Sequence, residues 1–208
     1  MSDQGTDAWL RERAGKVTAS RIADLMAMTK TGPGASRKNY MAQLITERLT
    51  GEPTPGFTSA AMEWGTATEP QARDAYRFLT FASVEETGFV THPHIPEAGA
   101  SPDGLVGADG LIEIKCPNTA THLETLESEK VADKYAKQMQ WQMACTGRAW
   151  CDYMSFDPRL PEPMQSIIIR VDRDDEAIAQ IEEAVRAFLA ELAERVDTLK
   201  AKYMKDAA

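Results

Sequence analysis

Apolar residues recur at helical spacing toward both ends of the chain and again around residue 140, and they give way to short strand-like runs in between. This order of periods leaves few architectures open. Tyr40, Met41, Leu44, Ile45 and Leu49 predict a helix over 36–49. Trp64, Ala67, Ala72, Ala75, Phe78 and Leu79 predict a longer one over 59–79. Tyr135, Gln138, Met139, Gln142 and Met143 share faces in a helix over 134–146, and an amphipathic run predicts a long helix over 174–202. A short helix is expected over 18–28, with Thr18 or Ser20 as its cap, followed by a flexible TKTGPGAS loop. Strands are expected over 84–91, 149–156 and 166–171, and residues 99–101 and 111–115 flank a turn containing DGLVGADG. Helices, a strand cluster, a helix, two strands and a final helix describe a mixed α/β (α+β) chain, with a small central sheet flanked by helices and a long C-terminal helix.

At 208 residues, 43% of them hydrophobic, one domain with a full core is expected, needing no disulfide or structural metal to fold. The three cysteines, Cys116, Cys145 and Cys151, form no CxxC pair, which argues against a disulfide framework, a zinc knuckle or a four-cysteine iron–sulfur site. They read as reduced thiols in or near the core. No apolar run approaches the roughly 18 residues of a membrane helix, and MSDQGTDAWLRER has no apolar signal core, so a cytoplasmic protein without a membrane partner is expected.

The chemistry centres on Ser101-Pro102-Asp103-Gly104 and Glu113-Ile114-Lys115. Alternate side chains of a strand share a face, so Glu113 and Lys115 project together. A turn between Asp103 and Glu113 folds Asp103 back beside them. Two carboxylates and an ammonium at one point suit phosphodiester hydrolysis, because Mg²⁺ takes oxygen ligands and keeps several waters. The Ile114 carbonyl, between the two side chains, is a further candidate ligand. Lys115 is placed either to hold or help deprotonate the attacking water, or to stabilise the charge that develops. A bare D…ExK spacing also occurs in surface hairpins. Two features outside the strand add to it: Glu69, on a predicted helix, offers a third carboxylate, and Gln138 and Gln142 share a helix face from which an amide can orient a water or a phosphate oxygen.

A net charge of −9 stands against nucleic-acid binding at first sight. Net charge ignores distribution, however, and a cation-binding site itself needs clustered carboxylates. Much of the acid follows Asp172, on a helix expected to lie away from substrate. The first half carries Arg11, Arg13, Lys16, Arg21, Lys30, Arg37, Lys38 and Arg48.

Taken in order, AWLRERAGKVTAS, EWGTATEP, ASPDGLVGADGLIEIKCP, YAKQMQWQMACTGRAWCDYMSFDPR and the terminal helix resemble the bacteriophage lambda exonuclease, or YqaJ-type viral alkaline exonuclease, family. The resemblance runs from about Trp9 to Arg159. Between Lys115 and Tyr135 the chain is slightly shorter than its lambda counterpart, so loop contacts to DNA there differ. The resemblance implies a restriction-endonuclease-like PD-(D/E)xK core. It implies Asp103 and Glu113 as metal-binding carboxylates, Lys115 as the catalytic lysine, Glu69 as an acidic residue near the metals and Gln138 as the active-site glutamine. Arg13, Ser20 and Ser101 match positions that bind the 5′-terminal phosphate, Met62 matches a wedge between separating strands, and Lys30 falls near a basic contact to duplex DNA. It further implies two Mg²⁺ per site with Mn²⁺ as substitute, a ring-shaped homotrimer, a single-strand annealing protein as partner, and a phage or prophage origin in a bacterial host. The expected activity is processive 5′→3′ degradation of linear double-stranded DNA to 5′-mononucleotides, leaving a 3′ overhang. A structure-specific or restriction-type endonuclease on the same core is the alternative. A non-catalytic binding module would have no use for the intact Asp103, Glu113 and Lys115 set.

Overall fold

The computed structural model describes residues 3–56 and 58–204. It opens with α1 (Asp7–Arg13), β1 (Val17–Thr18), a 3₁₀ turn (Ala19–Arg21), α2 (Ile22–Leu25) and a hairpin of β2 (Met28–Thr29) and β3 (Gly32–Pro33). Two long helices follow, α3 (Ala35–Thr50) and α4 (Ala60–Thr80). Next come β4 (Val84–Glu85), β5 (Val90–His92), β6 (Ile95–Ala100), β7 (Gly104–Val106) and β8 (Gly110–Lys115). The chain ends with α5 (Thr119–Ser128), α6 (Asp133–Thr146), β9 (Trp150–Phe156), β10 (Ser166–Asp172) and the 29-residue α7 (Asp175–Tyr203).

The main sheet has five strands in the order β10-β9-β8-β7-β4, with β8 and β9 parallel and every other pair antiparallel. Its alternation sorts side chains to two faces. Ile112, Ile114, Met154 and Phe156 meet Ala72 and Tyr76 of α4, whereas Leu111, Cys151 and Tyr153 meet Met139 and Met143 of α6. On the α4 face, buried Asp152 takes the Tyr76 hydroxyl at 2.7 Å and two bonds from Arg170. A second sheet, β1-β6-β5, lies in the cluster that α2, α3, α6 and α7 build around Trp141 and Phe188. Asp174 caps α7 through the amides of Glu176 and Ala177, and a stripe from Ile178 through Val185, Leu189, Leu192 and Val196 buries the helix along its length.

Several expected elements differ. The run over 84–91 is not one strand: β4 pairs with β7 and β5 with β6, in separate sheets. The turn between Asp103 and Glu113 exists, but its hairpin pairs β7 with β8, and residues 99 and 100 belong to β6 of the other sheet. Residues 18–28 divide into β1, the 3₁₀ turn and α2, because Val17 and Thr18 are drawn into parallel pairing with Ala98 and Gly99; Thr18 stands at the N-cap of the 3₁₀ turn without a side-chain cap bond, and α2 is preceded by Arg21, not by Thr18 or Ser20. TKTGPGAS closes as the β2–β3 hairpin and the start of α3 instead of a loop. α1 and α5 were not foreseen. The three thiols are free, Cys145 and Cys151 buried and Cys116 partly so. Among the described residues no helix is long and apolar enough to cross a membrane.

Gly110, the first residue of β8, lies directly under the Trp150 ring of β9: a Cβ there would sit 2.1 Å from the indole. Gly110→Ala is therefore expected to destabilise the protein by about 1–3 kcal/mol. Thermal unfolding would show this as a midpoint several degrees lower, and an unchanged midpoint would mean that the ring moves aside freely.

Candidate active site

Glu113 and Lys115 follow Leu111 on the face of β8 that meets α6. Glu113 is wholly buried there. Its Oε1 accepts from Lys115 Nζ and, at 2.7 Å, from Gln138 Nε2, while its Oε2 accepts from Gln142 Nε2 at 2.6 Å. Gln138 and Gln142 lie one turn apart on α6, which lets both amides reach one carboxylate. The β7–β8 pairing stops at Gly104 opposite Ile112, so Ile114 has no partner strand on that side. Asp103 fills the place: its Oδ2 accepts the Ile114 N–H at 2.7 Å. In extended backbone the N–H and C=O of one residue turn to the same edge, so the Ile114 carbonyl also faces the Asp103 side.

Glu69 comes from α4, held by Arg73 at 2.6 Å, and Arg73 also pairs with Glu86. Glu69, Ile114, Lys115, Met62 and Tyr135 line a cleft of about 310 Å³.

Like charges crowd this place. Burial, then the neighbouring charges of Glu113 and Glu69, raise the Asp103 pKa well above the usual carboxylate range, against the opposing pull of Lys115. Burial also raises Glu69, despite Arg73 and Lys115. Burial alone would lower Lys115, but Glu113 and Asp103 outweigh it and hold the ammonium above its ordinary value.

The residues fit a hard divalent cation. Asp103 Oδ1 and Glu69 Oε2 accept no hydrogen bond from any described residue, and the surplus of buried negative charge is what such an ion would neutralise. Among the described residues no three acidic, histidine or cysteine side chains close into a cage. Mg²⁺ does not need one, since it keeps several of its waters. Asp103, Glu113 and the Ile114 carbonyl would hold it, with Glu69 reaching it directly or through water.

A second group of predicted residues opens onto the same place. Arg13, Ser20 and Ser101 line a cleft of about 180 Å³ together with Asp103, Glu113, Lys115 and Gln138. The parallel register brings the serines together: Thr18 lies opposite Gly99, and Ser20 and Ser101 each follow two residues later. Arg13 ends α1, its guanidinium 3.7 Å above the Trp9 ring, and burial brings its pKa down to about 10, which leaves it charged near neutrality. It makes no ion pair with any described residue. Trp9 Nε1 donates to Ser101 Oγ at 3.0 Å, so one indole braces both the arginine and the serine. Gln4 pins the same corner by donating to the carbonyls of Thr87 and Pro102. Arg13 and Ser20 also line an adjoining cleft of about 520 Å³ that ends at Met62. Met62 is 55% exposed, which fits a surface wedge better than a buried helix methionine. Lys30 is not part of this assembly: it is exposed in the β2–β3 turn and lines none of these clefts.

Sequence reasoning missed Trp9, Gln4 and Arg73. The spacing of Trp9 and Arg13, four apart on one short helix, was the available signal for the first. A cavity of about 500 Å³ beside α3 and α7 holds none of Glu69, Asp103, Glu113, Lys115 and Gln138, and Arg48 there is paired with Glu97.

The raised Asp103 pKa has a consequence for stability. The folded protein holds this proton more tightly than the unfolded chain does, so the contribution is full below the unfolded pKa of about 3.9 and is lost as pH rises through the folded value. Asp103→Asn keeps an oxygen for the Ile114 amide and removes the buried charge. In chelator at pH 8 it is expected to raise the thermal midpoint, by about 2–4 °C for each kcal/mol relieved, with the gain shrinking toward pH 4. A variant no more stable than wild type at pH 8 would contradict the crowding.

The YqaJ-like viral recombinase domain matches residues 8–149. None of the curated proteins compared matches the chain. The alkaline exonuclease LHK-Exo of Laribacter hongkongensis is similar at 55% identity with a TM-score of 0.90, over 96% of this chain and 99% of that one, in two structures of which one is a complex with dAMP. A phage related exonuclease from Haemophilus somnus 129PT shares the fold at 15% identity with a TM-score of 0.70, over 88% of this chain and 96% of that one. Matched by the family's domain over most of its length, the chain belongs to the YqaJ-like viral recombinase family.

Proposed function

We propose that the protein is a Mg²⁺-dependent exonuclease that degrades the 5′-phosphorylated strand of linear double-stranded DNA to 5′-mononucleotides. The observation that carries this reading is the single cleft in which Arg13, Ser20 and Ser101 adjoin Asp103, Glu113, Lys115 and Gln138. A terminal phosphate held by an unpaired arginine sets the first phosphodiester beside the carboxylates, which is the arrangement an end-directed enzyme requires. Membership of the YqaJ-like family supports the reading, as does the similarity to LHK-Exo, an alkaline exonuclease crystallised with the mononucleotide dAMP.

When bound, a divalent cation polarises the phosphoryl oxygen and lowers the pKa of the attacking water. Asp103, Glu113 and the Ile114 carbonyl would hold it, and the family likeness implies two such ions per site with Mn²⁺ as substitute. Of the two roles open to Lys115, the neighbouring carboxylates favour charge stabilisation, because they keep its proton in place. Gln138, which lines the cleft, orients water or a phosphate oxygen. Met62 splays the strands at the mouth, where an apolar side chain replaces lost stacking.

The remaining features of this reading come from the family likeness. They are processive action by a ring-shaped homotrimer, a 3′ overhang passed to a single-strand annealing protein, and a cytoplasmic phage or prophage setting. Lys30, in its exposed turn, is the candidate contact to the incoming duplex.

Digestion of end-labelled linear duplexes, with and without a 5′-phosphate and beside closed circles, tests the activity. The 5′-phosphorylated strand is expected to fall to mononucleotides with the circle intact, and chelation should stop the reaction. Nicked or linearised circles would replace this reading with an endonuclease. Asp103→Ala and Glu113→Ala should reduce cleavage to background. Arg13→Ala should cut the preference for phosphorylated over hydroxyl ends by about 10- to 100-fold, the worth of a hydrogen bond to a charged group. Equal rates on both ends in wild type would remove Arg13, Ser20 and Ser101 from the phosphate site.

A further inference from the structure

Glu113 has no exposure to solvent, yet its carboxylate sits on a torsion that is broad and two-fold by nature. Something must choose which way its oxygens face. Gln138 and Gln142 do so from the same side of α6, one amide to each oxygen. The two glutamines differ in their surroundings. Gln138 lines the cleft beside Asp103 and is free to exchange its bond for one to substrate or water. Gln142 is fully buried and lines none of the clefts around the site. Its amide nitrogen serves Glu113 at 2.6 Å, and its side-chain oxygen meets, among the described residues, only the Cys151 thiol, at 4.0 Å. On the same face of α6, Met139 and Met143 fill the space against the sheet with apolar bulk. An amide beside them is costly to bury unless a buried charge needs it.

We propose that Gln142 is a positioning residue for the divalent-cation site: it locks Glu113 Oε2 toward the interior and so keeps Oε1 turned to Asp103 and the cleft. The inference rests on the reading of Asp103 and Glu113 as the cation-holding pair. Groups that orient a metal ligand typically change metal affinity by 10- to 100-fold when removed.

The test compares the full chain with Gln142→Met, which keeps the volume and removes the amide, and Gln142→Asn, which draws the amide back by one methylene. Mn²⁺ binding is followed by calorimetry, and kcat and KM are measured on 5′-phosphorylated duplex across Mg²⁺ concentrations. Both variants are expected to bind Mn²⁺ about tenfold or more weakly and to lose kcat at limiting Mg²⁺. KM for DNA should stay unchanged, and most of the lost rate should return at high Mg²⁺. A packing defect would not be rescued by the cation. If Gln142→Met does not fold, Gln142→Asn carries the same test. Variants that match wild type in Mn²⁺ affinity, or whose lost rate Mg²⁺ does not restore, overturn the role of Gln142 while leaving the nuclease reading in place. A wild type that neither binds Mn²⁺ nor degrades DNA overturns both.

Discussion

Asp103, Glu113 and Glu69 converge on Lys115 at the end of one strand, and a single ammonium cannot balance them in a place that water reaches poorly. One carboxyl must keep a proton or a further cation must arrive. The raised Asp103 pKa expresses the first outcome and the proposed metal expresses the second. Much of the surrounding architecture holds these groups together against their repulsion. The β7–β8 pairing ends where Asp103 can take the Ile114 amide, α6 supplies two amides to Glu113, and Arg73 tethers Glu69. Apolar packing on both faces of β8 fixes the strand that carries the cluster.

The acidity of the chain is reconciled with a DNA substrate by where its charges are spent. Several early basic residues are consumed in structure: Arg21 pairs with Asp24, Arg37 with Glu191 of α7, and Arg48 with Glu97. Arg13 is different, since it stacks on Trp9 and opens into the cleft with no carboxylate partner among the described residues. The acidic helix α7 lines none of the clefts that hold Glu69, Asp103, Glu113, Lys115 or Arg13. Net charge is therefore a poor guide here to the charge that a DNA end would meet.

What was legible in the sequence follows the range of each signal. The alternation that sets Glu113 and Lys115 on one face is local, and so is the four-residue step from Gln138 to Gln142; both hold in the structure. The long helices were legible because each carries an apolar stripe. α1 was not, because it buries none of its own residues, and α5 was not, because the residues it buries are His122 and Thr125. The split of 84–91 depends on which distant strands, β7 or β6, claim each half, and no local pattern encodes that. Arg13, Ser20 and Ser101 could not have been grouped from spacing. Their convergence depends on β1 pairing with β6 across some eighty residues of chain, in the register Thr18 to Gly99, and only the family likeness anticipated it.

The crowded carboxylate cluster is proposed to receive a divalent cation. The most direct measurement is Mn²⁺ titration by calorimetry from pH 6 to 9, in paired buffers of different ionisation enthalpy. The cation competes with the Asp103 proton, and that proton is lost more readily as pH rises. Binding is therefore predicted to be coupled to proton release, to tighten as pH rises, and to lose this dependence in Asp103→Asn. Mn²⁺ binding with no proton release and no pH dependence, or no binding at all, would contradict the account.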